Sequence, residues 1–258
     1  PYFLGRRLSA GADLFRTEQD YQDEGSYDSE TTGGRIRLGW NYTDDLSQYA
    51  RYTLRQDKIS NVDSLASVYI KEEAGSSTAS SIGQTLVYDK RDSAINPKEG
   101  YYLSFGNDVA GLGGDEKYLR FDGKVYTYYT LADYYTFKLF VNAGYIEGYG
   151  DENVRLSQRY YLGGSTLRGF DTAGIGARDK YTKDALGGNW MVYSGAEMSF
   201  PIGLDELGIK GRTFVDMGML GKPDNIDRAI VDYSSNPRVA AGFGFTWQSP
   251  MGQIDVDI

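Results

Sequence analysis

Apolar residues along this chain occur mostly singly and alternate with polar ones, so each candidate strand has one apolar and one polar face. In residues 118–131, apolar side chains lie on one face and charged ones on the other: Leu119, Phe121 and Val125 against Arg120, Asp122 and Lys124. Side chains of a strand point alternately to its two sides. No apolar run approaches the roughly 20 residues that a membrane-spanning helix needs. The alternation is typical of transmembrane β-barrels, which have lipid outside and a wet interior.

Eleven segments carry this pattern, each of about the length that a tilted membrane strand requires. They are residues 8–15, 35–42, 49–56, 82–88, 101–109, 118–131, 136–148, 189–200 (ended by Pro201), 210–220, 238–248 and 253–258. The connections give a second regularity, because long and short ones mostly alternate. An up-and-down barrel places alternate connections at the same end, and outer-membrane barrels keep one end short.

Long connections are predicted near residues 17–34, 57–81, 149–188 and 221–237, and short ones near 43–47, 93–100, 132–134, 201–209 and 249–252. The link at 111–115 is short where a long one is expected, and the pattern also admits a short helix at 62–70. We therefore predict an all-β chain, an antiparallel up-and-down barrel of which it supplies about eleven strands. A soluble β-sandwich or β-solenoid is the alternative, but a sandwich needs a dry core and its loops need not alternate in length.

The composition removes several classes of function. The chain has no cysteine and no histidine, which excludes a disulfide scaffold and thiolate metal sites and removes the commonest general base and metal ligand. A net charge of −9 argues against nucleic acid as a partner. We expect no enzymatic activity, no cofactor and no metal, since carboxylates would have to carry any catalysis.

A glycine-rich stretch at residues 160–179 lies between two candidate strands and is too long for a hairpin turn. Glycines allow backbone conformations that other residues rarely adopt, and Arg168 lies at the tip of this stretch. By strict alternation, Glu197 and Asp216 on the next two strands point into the barrel, because a charge facing lipid is costly. A solvated arginine above two acids that only line the lumen is the simpler alternative.

Four motifs occur along the chain in a defined order. They are Asp89-Lys90-Arg91-Asp92 with Pro97 and Gly100, then Gly111-Leu112-Gly113-Gly114-Asp115, then Tyr161-Leu162-Gly163-Gly164-Ser165, and the tip Leu167-Arg168-Gly169-Phe170. In this order and spacing they resemble the barrel of the outer-membrane assembly factors, whose superfamily includes the import and sorting pores of chloroplasts and mitochondria. Leucine at 167 stands where valine is commoner. Each motif alone is weak, but together they cover nearly the whole chain.

The resemblance implies that the loop folds into the lumen and that Arg168 pairs with Glu197 and Asp216 as a latch. The candidate supporting residues are Phe214, Asp89, Arg91 and Asp92. The last three fit a charged strand end at the periplasmic rim equally well. The resemblance also implies that residues 1–258 are a partial barrel domain, about the fifth to fifteenth of sixteen family strands, without the POTRA repeats, the first strands and the last strand.

By the same resemblance, the protein would fold and insert other barrel proteins into the bacterial outer membrane. Its partners would be the lipid bilayer, unfolded outer-membrane proteins and accessory lipoproteins bound through the periplasmic repeats. Three other functions remain open. A passive porin would use an internal basic stripe made of Arg35, Arg37, Arg51 and Arg55. A secretion transporter of the same superfamily would differ in its number of POTRA repeats. A membrane protease or lipase would need the histidine that this chain lacks.

Overall fold

The computed structural model describes residues 8–132, 134–204, 207–249 and 252–258. In chain order the strands are β1 (Leu8–Tyr21), β2 (Tyr27–Asn41), β3 (Leu46–Ser60), β4 (Gly75–Asp89), β5 (Gly100–Gly114), β6 (Tyr118–Leu131), β7 (Tyr135–Gly148), β8 (Ala177–Asp179), β9 (Ala185–Gly187), β10 (Trp190–Leu204), β11 (Ile209–Leu220), β12 (Val231–Asp232), β13 (Arg238–Ser249) and β14 (Gly252–Asp257). The helices are α1 (Gln22–Gly25), α2 (Val68–Glu72) and a 3-10 turn at Leu156–Gln158.

One antiparallel sheet of eleven strands forms the wall, in the order β1-β2-β3-β4-β5-β6-β7-β10-β11-β13-β14. Each wall strand pairs with the next wall strand along the chain, which is the up-and-down connectivity that the sequence predicts. Within the described residues, β1 and β14 are the two edges of this sheet and do not pair with each other. The predicted all-β fold with about eleven wall strands is therefore confirmed.

The two faces of the wall differ as the alternation requires. Outward side chains are apolar and exposed, for example Ile36 at 59%, Phe105 at 53% and Val215 at 50%. Inward neighbours such as Thr53 and Asp216 are buried. A continuous exposed apolar belt is unfavourable in water and favourable against lipid. No helix in the described part of the chain is long and apolar enough to cross a membrane.

Two of the predicted long connections are wrong in extent. Residues 17–34 mostly belong to β1 and β2, which are joined only by α1, and residues 57–81 contain the end of β3 and the start of β4. The strands keep their backbone pairing beyond the apolar belt, so Glu18 lies opposite Glu30, with Arg16 bridging both carboxylates. A charged composition therefore makes strand ends that extend into water look like loops. The helix expected at 62–70 lies at Val68–Glu72 instead.

Pro201 does not end β10, which continues to Leu204 across a register shift between these two residues. Proline lacks the N–H that a regular ladder needs, and an irregular position tolerates that loss. The short link after β5 lies at residues 115–117. Three predicted turns, 132–134, 201–209 and 249–252, include positions outside the described residues (133, 205–206 and 250–251).

The connection between β7 and β10, residues 149–189, is the inner loop of this structure. It contains the 3-10 turn, β8 and β9, and it forms a second small sheet with β12 from the connection between β11 and β13. The inner loop begins at the same end of the wall as the connections 22–26, 61–74, 115–117 and 221–237.

Candidate loop latch

The inner loop supplies much of the dry core of the molecule. Leu162 and Leu167 of this loop are fully buried. They belong to a cluster with inward side chains of five wall strands: Ala79, Ala110, Tyr118, Ile146 and Leu220. Burying apolar surface is the main favourable contribution to ordering a segment of this length. The loop therefore lies against the inner face of the wall, where the resemblance places it.

Short hydrogen bonds fix the tip of the loop. The Thr166 hydroxyl donates to the Gly163 carbonyl over 2.7 Å, and the Gly163 N–H donates back to that hydroxyl. The Gly164 N–H donates to the Phe170 carbonyl over 2.8 Å. Gly169 has φ of +80°, a conformation that L-residues rarely adopt. These contacts hold the tip in one conformation, in which the side chain of Arg168 points towards the wall.

Arg168 makes three charged hydrogen bonds to two carboxylates. Its Nε and Nη2 donate to the two oxygens of Asp216 over 2.6 and 2.9 Å, and its Nη1 donates to Glu197 Oε2 over 2.7 Å. The guanidinium carbon lies 3.5 Å from the centre of the Phe214 ring. Forked pairing of this kind is the strongest geometry available to an arginine. We call Arg168, Glu197 and Asp216 the latch.

The register of β10 and β11 brings the two acids together. Gly195 lies opposite Asp216, and Glu197 lies opposite Phe214. A Cβ on Gly195 would lie 2.4 Å from Asp216 Oδ1, so the glycine leaves the space that the carboxylate occupies. Gly218 has a similar role, since a Cβ there would lie 2.7 Å from a Leu167 methyl group. The site thus depends on two glycines as well as on its charged residues.

The three latch side chains are mostly shielded from water, with exposed fractions of 17% for Arg168, 10% for Glu197 and 4% for Asp216. Burial alone would lower the pKa of Arg168, but the hydrogen bonds that it donates to Asp216 and Glu197 outweigh burial and raise that pKa above its ordinary value. The guanidinium therefore stays charged, and two carboxylates that would otherwise repel each other share one cation.

The other predicted site residues fall into two groups. Leu167 is buried in the core, Phe170 packs against it, and Phe214 lies under the guanidinium. Asp89, Arg91 and Asp92 lie at the turn between β4 and β5, and within the described residues none of them makes a hydrogen bond or ion pair with the latch. Arg91 makes a forked pair with Asp89 at 2.8 Å, and Asp92 accepts the N–H groups of residues 98 and 99. These contacts shape the turn between β4 and β5, and a supporting role of the three residues in the latch stays a prediction.

Three further residues extend the charged site. Arg212 of β11 has a side chain only 4% exposed, and it contacts Asp257 at 2.5 Å and Asp255 at 3.1 Å, both on β14. The sequence does place Arg212 on the face of Asp216, and the two aspartates on a common face. Which of them meet depends on the strand register, so alternation alone does not identify these pairs.

The basic stripe that a porin would use is paired in this structure. Arg37 contacts Asp13 at 2.8 Å, Arg55 contacts Asp57 at 3.1 Å, and Arg51 makes a forked pair with Asp108. Arg35 donates to the Thr53 hydroxyl. With three of its four arginines paired with carboxylates and a loop packed inside, the wall offers little support for a charged open pore.

The fold and the site define a class: a lipid-facing antiparallel barrel wall whose longest connection is held on its inner face by an arginine. The chain belongs to the Omp85 superfamily, whose domain model matches residues 1–258. It is 36% identical over 253 residues to the outer membrane protein assembly factor BamA of Neorickettsia risticii, covering 97% of this chain and 34% of that protein. It is 26% identical over 261 residues to BamA of Nitratidesulfovibrio vulgaris, covering 96% and 31%.

A solved structure of BamA from Haemophilus ducreyi lacking POTRA domains 1-3 superposes with a TM-score of 0.82 at 22% identity, covering 100% of this chain and 57% of that one. At that identity the likeness shows the fold. The chain spans about a third of the length of the curated relatives named above. These findings and the outward apolar belt assign the chain to the bacterial outer membrane.

Proposed function

We propose that the protein containing this chain folds and inserts β-barrel proteins into the outer membrane, and that the latch keeps the inner loop in its working position. The observation that supports this most is the set of three hydrogen bonds from Arg168 to Asp216 and Glu197. It occurs in a chain whose likeness to proteins named assembly factors covers 97% of its length.

The proposed activity makes and breaks no covalent bond. A barrel insertase lowers the barrier to insertion by thinning the bilayer around it and by offering strand edges on which a client strand can pair. The partners are the lipid bilayer, unfolded outer-membrane proteins and, through the periplasmic repeats of the whole protein, accessory lipoproteins. The contribution of this chain is a wall with a fixed interior.

The energetic role of the latch follows from the cost of ordering the loop. Each ordered residue loses about 1–2 kcal/mol of backbone entropy, and the buried leucines offset part of that loss. Asp216 and Glu197 lie on adjacent strands whose backbone pairing keeps them close, so they repel each other until a cation binds both. Binding of Arg168 to both acids therefore stabilises the ordered loop and also relieves the repulsion between β10 and β11.

The test uses the full-length protein in lipid vesicles with an unfolded barrel protein as client. We expect Arg168→Ala to slow client insertion about tenfold, which corresponds to about 1.4 kcal/mol in the barrier, and to make the inner loop more accessible to protease. Arg178→Gln is the matched control. Arg178 belongs to the same loop, but within the part of the chain that the structure describes its guanidinium donates to the backbone carbonyls of Ala173 and Lys183. Unchanged insertion together with unchanged proteolysis in Arg168→Ala would refute the proposal.

The same vesicles separate the remaining functions. A passive pore would give a steady ionic conductance that client protein does not alter. A secretion transporter would move one soluble partner into the vesicle lumen and insert no barrel protein. Insertion of several unrelated barrel clients, without either of these results, is the expected outcome.

A further inference from the structure

Arg212 connects the latch to a strand that the latch itself scarcely contacts. Its Nη2 donates to Asp257 Oδ1 over 2.5 Å, and its Nη1 lies 3.1 Å from Asp255 Oδ2. The same Nη1 lies 3.9 Å from Glu197 Oε2. One buried guanidinium on β11 thus reaches an acid of β10 on one side and two acids of β14 on the other. Between β11 and β14 lies β13, so this contact crosses an entire strand.

The two arginines and two of the acids form a closed ring of alternating charge. Arg168 contacts Glu197 at 2.7 Å, Glu197 lies 3.9 Å from Arg212, and Arg212 contacts Asp257 at 2.5 Å. The ring closes because Asp257 lies 3.8 Å from Arg168. Asp216 and Asp255 are attached to it, one on each arginine. In such a network the loss of one member changes the field at every other member.

β14 pairs with β13 from Ser249 opposite Gly252 to Gly244 opposite Asp257. The side chains of Asp255 and Asp257 on this strand both contact Arg212. The charged ring therefore adds side-chain attachments to the backbone pairing of β14.

From this geometry we infer that Arg212 is a positioning residue that couples the latch to β14. With the inner loop engaged, Arg168 and Arg212 share Glu197 and Asp257, and β14 is held on β13. With Arg168 removed, Glu197 loses its nearest cation and attracts Arg212 more strongly. Glu197 then competes with Asp257 for the Arg212 guanidinium, so the end of β14 loosens. The latch then controls the pairing of a strand two positions beyond the strands it grips.

The consequence for client insertion rests on the proposed function, but the coupling does not. A loop that holds the wall closed when engaged, and loosens β14 when released, provides an internal control over strand pairing. The coupling is a property of the folded wall, and it is measured without any client.

Hydrogen–deuterium exchange of residues 252–258, in the full-length protein in lipid nanodiscs, measures the pairing of β14. We expect Arg168→Gln to raise exchange there about tenfold, within the usual range of coupling between residues of one network. In an Asp257→Asn background, where β14 has lost its part of the ring, the same substitution should change exchange less than twofold. Arg178→Gln is the control in both backgrounds and should leave exchange of β14 unchanged.

Arg212 itself is tested by two substitutions. Arg212→Gln should raise exchange of 252–258 and abolish the added effect of Arg168→Gln. Arg212→Lys should restore part of the protection, because an ammonium keeps the charge but lacks the fork that spans β10 and β14. If Arg212→Gln does not fold, the Asp257→Asn comparison decides alone. The inference would be overturned if Arg168→Gln did not raise exchange of β14, or if it raised exchange equally in the natural and the Asp257→Asn backgrounds.

Client insertion measured on the same variants separates the two proposals. Faster exchange of β14 with normal insertion would leave the coupling intact and would contradict its place in the proposed function.

Discussion

Two of the charged clusters that hold the inner loop differ in the part of the molecule to which they attach it. At its tip, Arg168 binds acids on two paired wall strands. Near its start, Arg159 and Arg155 bind Glu73, which belongs to the connection between β3 and β4. We call these three residues the anchor. The latch attaches the loop to a hydrogen-bonded sheet, whereas the anchor attaches it to another connection.

The latch and the anchor also differ in the hydrogen-bond partners of their charged groups. In the latch, one cation serves two carboxylates that the sheet keeps together. In the anchor, the buried Arg159 also donates to the carbonyls of Val154 and Leu186, and Glu73 also accepts the Leu156 N–H over 2.7 Å. Loss of Glu73 leaves Arg159 with two acceptors, but loss of Arg168 leaves two acids facing each other. The latch should therefore be the more costly of the two to break.

Removing Arg168 is the strongest test of this difference. We expect Arg168→Ala to lower the free energy of unfolding by about 3–5 kcal/mol, the usual cost of leaving buried charges unpaired. The measurement is denaturant unfolding of the full-length protein in lipid. Arg168→Lys should lose less, because it keeps the charge without the fork. A loss below that of the anchor variant would reverse the ranking.

Glu73→Gln removes the charge of the anchor and keeps its shape. We expect a loss of about 1–3 kcal/mol, the range for buried polar groups deprived of a partner. Hydrogen exchange should rise in residues 154–159 and stay low at the tip around Leu167. A tip that loosens as much as the anchor region would show that the two attachments act as one.

Phe214→Leu tests the contribution of the ring beneath the guanidinium while leaving both acids in place. A cation over an aromatic face contributes about 0.5–2 kcal/mol, so the loss of stability should fall in that range. Combined with Arg168→Ala, the Phe214 substitution should add little, since its partner is already absent. Fully additive losses would mean that Phe214 acts only by filling space.

The smallest effect is expected at the turn between β4 and β5. Arg91→Gln breaks the forked pair with Asp89, which is partly exposed, and such pairs contribute about 0–1 kcal/mol. Protease accessibility of the inner loop should be unchanged, because no hydrogen bond or ion pair of the described residues joins Arg91 directly to Arg168, Glu197 or Asp216. Increased cleavage of the loop in this variant would favour the supporting role that the sequence suggested for Asp89, Arg91 and Asp92.

The sequence predicts the parts of this structure that depend on alternation. The bounds of β6 agree at both ends with the predicted 118–131, and Glu197 and Asp216 lie inside because each is an even number of residues from inward neighbours. Alternation does not tell how far a strand continues beyond the lipid. Glu18 and Glu30 look like loop residues, yet their backbones pair, with Arg16 between their carboxylates.

Contacts between distant segments were harder to predict. The pair formed by Arg212 and Asp257 depends on the stagger of β11, β13 and β14, and small differences in that stagger would move Asp257 past the guanidinium. The contact of Glu73 with Arg159 depends on how two connections fold over each other. Neither spacing nor composition records such information, although the resemblance did place Arg168 with its two acids.

The placement of Leu162 and Leu167 bears on the order in which the molecule assembles. Their neighbours Tyr118, Ile146 and Leu220 come from strands on both sides of the loop in the sequence. The dry interior is therefore complete only after β11 exists, when β4 to β7 have long been available to pair. Contacts between residues so far apart in sequence form slowly. A nascent chain would pass through a stage with paired strands and a hollow centre, and seating the loop would be among its last steps.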